Sequence, residues 1–263
     1  MSGKLELCED NDFFTGKIEG QILVMQMKEN PLDHAINFVS KRKILKYLDA
    51  VEKSRDVKTL LIIGSPDKKG REDYIKFYRK LIDNKRVGIK IARLYNAINQ
   101  FIIKISELNK IVIHADSGKV ISLFMNTSLS CDYRIIADNT IFQNTYLDLG
   151  LIPKGGGIYY LSKILGKGKA LEIIAAQKDI NAKEALNLGI VDKIVPADRL
   201  KEEALNLANK YAAMPFYTIS GVKQIMCGNL EEMKYSLELE NKVLQNIILT
   251  DSIKRMTENQ NEQ

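Results

Sequence analysis

The stretch that decides the fold begins at Cys131-Asp132-Tyr133-Arg134-Ile135-Ile136-Ala137-Asp138 and continues through Phe142 to Leu149-Gly150-Leu151-Ile152-Pro153 and Gly155-Gly156-Gly157. The run from Tyr133 to Ala137 predicts a strand. The glycines permit tight turns and close approach of the backbone, because they carry no Cβ. The stretch therefore predicts a strand followed by a turn-rich connection.

The segments on the amino-terminal side of this stretch alternate between strand and helix patterns. Residues 18–28 read as a strand, and the continuous apolar run at 57–64 is typical of a strand buried on both faces. Apolar residues recur near helical period from 35 to about 53 and from 93 to 110. Residues 110–115 read as another strand, and 123–129 as a short buried helix. This alternation predicts an α/β fold.

The segments on the carboxyl-terminal side are mostly helical. Asn181 precedes the helix pattern that starts at Ala182, and Glu184 follows three residues later, which predicts a capped helix start. We expect residues 1–198 to form the core and residues 199–263 to form a helical region of the same domain. That region carries more apolar residues than a small domain should expose, so we expect it to pack across a subunit boundary. Those residues are Leu237, Leu239, Val243, Leu244, Ile247 and Ile248.

The composition excludes several classes of protein. The chain has 263 residues, of which 45% are hydrophobic, enough for one full core. No stretch has the roughly 20 apolar residues of a membrane span, so we expect a cytoplasmic protein. The three cysteines form no CxxC pair, which argues against a disulfide framework and a metal site. The net charge of +6 is spread along the chain, so nucleic acid is a minor hypothesis.

The quoted stretch resembles the signature of the crotonase (enoyl-CoA hydratase/isomerase) superfamily. The resemblance extends through Gly166-Lys167-Gly168-Lys169-Ala170-Leu171-Glu172, Ala182-Lys183-Glu184-Ala185 and Leu188-Gly189-Ile190-Val191-Asp192-Lys193-Ile194-Val195-Pro196. It implies a spiral of ββα turns whose helical C-terminal region mediates trimerisation, in homotrimers or homohexamers. It also implies a coenzyme A thioester as substrate and no permanently bound cofactor.

The resemblance implies a site in which two backbone N–H groups hold the thioester oxygen. Carried over by position, the donors are the amides of Glu72 and Leu123. Fixed donors of this kind stabilise the negative charge of an enolate. The segment around His34 resembles the family's entry to the coenzyme A cleft, so we expect His34 to contact the cofactor. Arg71 is a second candidate contact, because coenzyme A carries phosphate charges.

The two catalytic glutamates of the family's hydratases are absent. Carried over by position, they would fall at Asn126 and Tyr146. Asn does not ionise, and a Tyr of ordinary pKa near 10 is a poor base at pH 7. Asp148 lies two residues beyond Tyr146, on the same face of an extended segment, so we expect it to handle the proton. Tyr146 or Asn126 would then orient the substrate, whereas His114 reads as a neutral core histidine.

Three functions are compatible with these residues. The first is an acyl-CoA enzyme that stabilises a thioester enolate, of isomerase or decarboxylase type. The second is a catalytically impaired homologue that binds acyl-CoA or acts as an assembly subunit. The third is an RNA-interacting homologue, because the chain is basic. An open polar pocket faced by Asp148 would favour the first, and a pocket filled by Leu123 and Phe124 would favour the second.

Overall fold

In the part of the chain that the structure describes, two β-sheets are surrounded by helices. The computed structural model describes residues 7–66, 68–82, 87–228 and 230–249. Its strands are β1 (Glu9–Asp10), β2 (Phe14–Glu19), β3 (Ile22–Met27), β4 (Thr59–Ile63), β5 (Ile111–Asp116), β6 (Lys119–Ile121), β7 (Tyr133–Ala137), β8 (Ile141–Gln143), β9 (Ile180–Asn181) and β10 (Lys193–Val195).

The large sheet has the strand order β1-β2-β3-β4-β5-β7-β10. In this sheet β1, β2 and β3 pair antiparallel, and β3, β4, β5, β7 and β10 pair in parallel. The small sheet has the order β6-β8-β9. The α/β architecture predicted from the alternating segments is confirmed.

The described helices are α1 (Pro31–Ile36), α2 (Phe38–Lys53), α3 (Arg71–Ile82), α4 (Val87–Glu107), α5 (Ser122–Ser128), α6 (Gly157–Leu165), α7 (Lys167–Ala175), α8 (Ala182–Asn187), α9 (Leu200–Ala212), α10 (Phe216–Met226) and α11 (Leu230–Leu249). Short 3-10 helices span Leu147–Leu149 and Ala197–Arg199. In the described part of the chain, no helix has the length and apolar character needed to cross a membrane.

Helices cover both faces of the large sheet, so its central strands β4 and β5 are buried on both sides. Alternate residues of a strand point to opposite faces. Leu60 and Val112 pack against α2 and α4, whereas Leu61 and Ile113 pack against α9. All five residues of β4 are buried. The prediction of a two-sided buried strand at 57–64 is therefore confirmed.

Two of the predicted elements are wrong in detail. The strand predicted at 18–28 is a hairpin, in which Gly20 has φ of +63° and turns β2 into β3. The helix predicted at 35–53 is two helices that meet at Asn37, whose side chain accepts hydrogen bonds from the backbone N–H groups of Val39 and Ser40. In contrast, the capping box of Asn181 and Glu184 is confirmed.

The carboxyl-terminal helices pack on their own chain. Helix α9 contacts β4 and β5, and α11 contacts α4 and α6. Leu237 and Leu244 are buried in this intrachain core, so the prediction that they add to the exposed apolar surface is wrong. Leu239 and Val243 are exposed. Ile247 is half-buried, and the side chain of Ile248 lies outside the described part. Packing across a subunit boundary stays a prediction.

Candidate functional site

Two adjoining cavities lie near the carboxyl ends of β3, β4 and β5. The first, which we call the apolar chamber, has a volume of about 150 Å³ and lies between the sheet and helices α1, α2, α4 and α5. The second, which we call the lysine cleft, has a volume of about 390 Å³ and opens between α1, α3 and β6. Pro31, Ser65, Lys68 and Phe124 line both. These four shared residues stand between the two cavities.

The lysine cleft is rich in cationic side chains. Lys68, Lys69, Lys76 and Lys119 line it, together with the acidic Glu29, Asp33 and Asp73. Asp33 is bound 3.2 Å from the Nζ of Lys80 outside the cleft, and Asp73 accepts a 2.8 Å hydrogen bond from the backbone N–H of Lys69. Lys68 is paired with Asp116, so Lys69, Lys76 and Lys119 stand against the carboxylates of Glu29 and Asp73, and this small excess of positive charge suits an anionic group such as a phosphate.

The starts of helices α3 and α5 border this cleft. Glu72 and Leu123 are each the second residue of their helix, where backbone N–H groups have no acceptor within the helix. Both helices contact β6. Gly70 precedes α3 with φ of +67°, and a Cβ there would lie 1.9 Å from the Oε1 of Gln143. The two predicted oxyanion donors therefore belong to helix starts at the cleft, and their role stays a prediction.

Asn126 is part of the packed interior. Its side chain is fully buried, and Nδ2 donates a 2.8 Å hydrogen bond to the carbonyl oxygen of Lys154. A Cβ on Gly157 would lie 2.3 Å from this Nδ2, so the amide packs directly on the glycine. Asn126 lines neither cavity. Its environment is structural, and the substrate-orienting role predicted for it stays untested.

Tyr146 and Leu123 also fill the interior. Both side chains belong to one apolar cluster that includes Tyr74, Leu149 and Leu237. Burial raises the pKa of Tyr146 to about 12, because the phenolate form would lose its hydration. At pH 7 this tyrosine is neutral. Neither Tyr146 nor the Leu123 side chain lines the chamber or the cleft, so side chains occupy the region where the resemblance placed the acid and base.

The prediction that residues 146–148 are extended, with Tyr146 and Asp148 on one face, is wrong. Residues 147–149 form a 3-10 helix, and Tyr146 has helical φ and ψ of −78° and −38°. Residues two apart share a face in an extended strand but not in a helix with three residues per turn. The side chain of Asp148 lies outside the described part of the structure. Its catalytic role stays a prediction that rests on its position in the sequence.

The two predicted cofactor contacts have different surroundings. His34 lines the apolar chamber, stacks on Phe13 at a centroid distance of 5.2 Å, and has Nδ1 3.4 Å from the Oγ of Ser40. Arg71 lines neither cavity. Its Nη2 lies 2.8 Å from the Oδ1 of Asp179, so this ion pair links the start of α3 to the loop before β9. A cofactor contact by Arg71 would compete with this ion pair.

A polar cluster at the chamber was missed by the sequence analysis. Lys68 forms a buried ion pair and hydrogen bond with Asp116. The Nε2 of His114 lies 4.0 Å from Asp116 Oδ2, and both His114 and Ser65 line the chamber. The Oγ of Ser65 is buried without a hydrogen-bond partner. A Cβ on Gly64 would lie 2.2 Å from Asp116 Oδ1, so only glycine leaves room for this carboxylate.

His114 is neutral at pH 7. Burial lowers its pKa to about 4, because the imidazolium would lose its hydration, and the neighbouring Asp116 only partly offsets this effect. The neutral state agrees with the core histidine expected from the sequence, but the ring also faces a cavity. The sequence signal that could have revealed this polar cluster is the spacing of His114 and Asp116, because residues two apart in a strand lie on one face, here at the end of β5.

The comparisons with known proteins define the class of this chain. The family model for enoyl-CoA hydratase/isomerase matches residues 17–262. The solved structure of enoyl-CoA hydratase from Bacillus halodurans superposes with a TM-score of 0.79 at 20% identity, over 94% of this chain and 99% of that one. The fold is therefore that of the crotonase superfamily, and the chain belongs to the enoyl-CoA hydratase/isomerase family.

Relatives of known activity differ in the reaction they catalyse. A crotonyl-CoA hydratase from Syntrophomonas wolfei is 31% identical over 67% of this chain and 67% of its own length. A trans-2-decenoyl-[acyl-carrier-protein] isomerase from Streptococcus mutans is 27% identical over 70% of each chain. Similarity to both activities supports an enzyme of this family but does not select one reaction, which must be argued from the site.

Proposed function

We propose that the protein binds an acyl-CoA thioester and stabilises its enolate, in an isomerisation or decarboxylation rather than a hydration. The observation that carries this proposal is the burial of Asn126 and Tyr146, the residues that the resemblance to the family puts in place of the hydratase glutamates. Asn126 is fully buried and cannot ionise, and Tyr146 is buried with a pKa of about 12. Hydration needs one group to take a proton from water and another to deliver one. These two residues supply neither.

The lysine cleft is the proposed binding site for coenzyme A. Lys69, Lys76 and Lys119 are exposed at its walls and would attract the phosphates. The amides of Glu72 and Leu123 would hold the thioester oxygen. Both stand in the first turn of a helix, where the macrodipole favours negative charge. Helix α1, which carries His34, borders the cleft through Pro31, Leu32 and Asp33 and would lie against the cofactor.

The proposed chemistry needs one proton-handling group. A base removes the proton of the α-carbon, and the electron pair moves to the thioester oxygen. In an isomerase the proton returns at the γ-carbon, which converts a β,γ-unsaturated thioester into its α,β-unsaturated isomer. In a decarboxylase the departing CO₂ leaves its electron pair, and the α-carbon then takes up a proton. Asp148 is the acid that we assign to this proton.

A second candidate function is acyl-CoA binding without turnover. The observation in its favour is that Leu123 and Tyr146 pack in one apolar cluster, so the region of the family's acid and base is filled. A protein of this kind would act as a binding or assembly subunit. The proposed homotrimer or homohexamer and the cytoplasmic location are compatible with both functions and stay predictions.

The two functions differ in one measurable step, the exchange of the α-proton with solvent. We expect the wild-type protein, incubated with hexanoyl-CoA in D₂O, to incorporate deuterium at the α-carbon, as followed by mass spectrometry. Asp148→Asn should slow the exchange by about 10²-fold or more, with a Kd for hexanoyl-CoA within about threefold of wild type. Asp138→Asn, at an exposed aspartate, is the matched control and should exchange normally.

Each contrary result has a distinct meaning. Binding without exchange by the wild type would overturn the enzyme proposal in favour of the second candidate. Exchange that persists in Asp148→Asn would remove Asp148 from the mechanism. An absence of heat in calorimetry with acyl-CoA at low and at high salt would contradict both functions.

A further inference from the structure

The outward side of helix α2 carries an exposed apolar pair beside a row of cations. Phe38 and Val39, the first two residues of the helix, are 67% and 72% exposed. Arg42 and Lys46 follow Phe38 at intervals of four residues, which puts these three side chains on one face of the helix. Lys43 follows Val39 at the same interval. We call these five residues the α2 outer face.

The inner side of the same helix is anchored in the core. Tyr47, Leu48 and Val51 are buried there and join the apolar cluster formed with β3 and β4. Asp49, the first acidic residue of the helix, is paired with Lys104 of α4. The helix is therefore held in place by its inner side, and the α2 outer face is presented to solvent by a fixed support.

The α2 outer face has a local excess of positive charge. Residues 38–48 include four basic side chains and no acidic one. Lys43 lies 2.6 Å from Glu9 of β1, so its charge is matched. Arg42 and Lys46 are exposed, and no carboxylate of the described residues pairs with either. Two cations thus stand unmatched beside the exposed apolar pair.

This combination of side chains fits an anionic lipid surface. Lys and Arg on an amphipathic helix are attracted to anionic headgroups, and apolar side chains beside them lie at the boundary between headgroups and acyl chains. A nucleic acid would use the same cations, but it binds exposed side chains by stacking of bases on aromatic rings. Val39 has no ring and is as exposed as Phe38. The apolar pair therefore favours lipid over nucleic acid.

We infer that the α2 outer face binds anionic membrane surfaces, with Phe38 and Val39 inserted at the level of the headgroups and Arg42 and Lys46 against the lipid phosphates. This inference goes beyond the proposed function and does not depend on acyl-CoA. Two cations and two inserted side chains give a reversible, salt-sensitive attachment rather than a permanent anchor.

The first test is sedimentation with vesicles of phosphatidylcholine and with vesicles of phosphatidylcholine and phosphatidylglycerol. We expect the wild type to bind the mixed vesicles at least about tenfold more tightly, and high salt to remove this preference. Arg42→Gln/Lys46→Gln should weaken binding about 20-fold, because each cation near an anionic leaflet contributes about fivefold. Lys201→Gln/Lys210→Gln removes the same charge from exposed positions of α9 and is the matched control.

The second test follows insertion directly, because the chain contains no tryptophan. Phe38→Trp places a single tryptophan on the α2 outer face. Its emission should shift to shorter wavelength on mixed vesicles and be quenched by brominated lipid. Leu171→Trp on α7 replaces a side chain that is also 67% exposed, and it should show neither change. Phe38→Ser/Val39→Ser should weaken vesicle binding about tenfold or more.

Several results would overturn the inference. They are equal binding of both kinds of vesicle, no binding to either, binding that Arg42→Gln/Lys46→Gln leaves unchanged, and an unshifted emission of Phe38→Trp. Anisotropy with a labelled single-stranded RNA covers the other occupant. RNA binding that Arg42→Gln/Lys46→Gln weakens, without binding to vesicles, would assign the face to nucleic acid instead. If Phe38→Ser/Val39→Ser fails to fold, the Phe38→Trp measurement decides the question of insertion.

Discussion

Lys154 and Glu240 form a buried ion pair, and the loss of stability on breaking it can be predicted from how deeply the pair is buried. The side chains are 1% and 2% exposed, with Nζ and Oε2 3.4 Å apart. Lys154 also donates a 2.6 Å hydrogen bond to Asn241 and lies 4.9 Å from the centroid of the Tyr95 ring. The pair joins the segment before α6 to helix α11, so it holds the carboxyl-terminal helix on the core.

Glu240→Gln would leave the lysine buried without its countercharge. Breaking a buried pair in this way typically costs about 3–5 kcal/mol. Burial already lowers the pKa of Lys154 to about 8. Without the carboxylate its pKa falls further, so at pH 7 the amine can lose its proton and limit the penalty. We therefore expect the lower end of the range, a loss of about 3 kcal/mol in the free energy of unfolding.

The assay is urea unfolding at pH 7, with a control on the same helix. Glu232 lies 2.9 Å from Lys163, but those side chains are 46% and 56% exposed. Glu232→Gln should therefore cost less than about 1 kcal/mol. The double variant Lys154→Met/Glu240→Leu should recover most of the loss, because it removes both charges together. A Glu240→Gln variant as stable as Glu232→Gln would refute the reasoning.

Two further predictions concern the cluster beside the chamber. The folded pKa of His114, about 4, lies below its unfolded value of 6.5, so the stabilising contribution is full above pH 6.5 and is lost as the pH falls toward 4. The free energy of unfolding should fall by up to about 3 kcal/mol as the pH is lowered from 6.5 toward 4. His114→Gln should remove most of this fall, and a variant with the same dependence of stability on pH as the wild type would contradict the prediction. Gly64→Ala should destabilise the fold by about 1–3 kcal/mol, because its Cβ would meet the Asp116 carboxylate. Gly168→Ala, with open space around it in helix α7, should be neutral or stabilising, and equal effects of the two in thermal unfolding would disprove the packing argument.

The fold was predictable where local patterns are unambiguous. The strand Tyr133–Ala137 and the capping box at Asn181 were read from the sequence because period, apolar runs and caps are local signals. The hairpin at Gly20 and the break at Asn37 were missed. At Gly20 the polar run Glu19-Gly20-Gln21 was a turn signal that the strand assignment passed over, whereas at Asn37 the apolar residues Ile36 and Val39 keep helical spacing across the break.

The site was predictable only in part, because its cavities are built by distant segments. The resemblance singled out Asn126 and Tyr146 but could not show that both are buried in the core. It placed Asp148 by strand parity, which fails in a 3-10 helix. Lys68 and Asp116 lie 48 residues apart in the chain, and nothing in either local segment predicts their ion pair.

The measurement that tests the central claim most directly is the rate of crotonyl-CoA hydration by the wild-type protein at pH 7. The crotonyl-CoA hydratase of Syntrophomonas wolfei would be assayed beside it. Loss of a positioned acid or base costs about 10²–10⁴ in rate, so we expect hydration at least about 10²-fold slower than that of the hydratase at saturating substrate. Hydration within about tenfold of the hydratase would contradict the account, since it would require an acid and a base that Asn126 and Tyr146 do not provide.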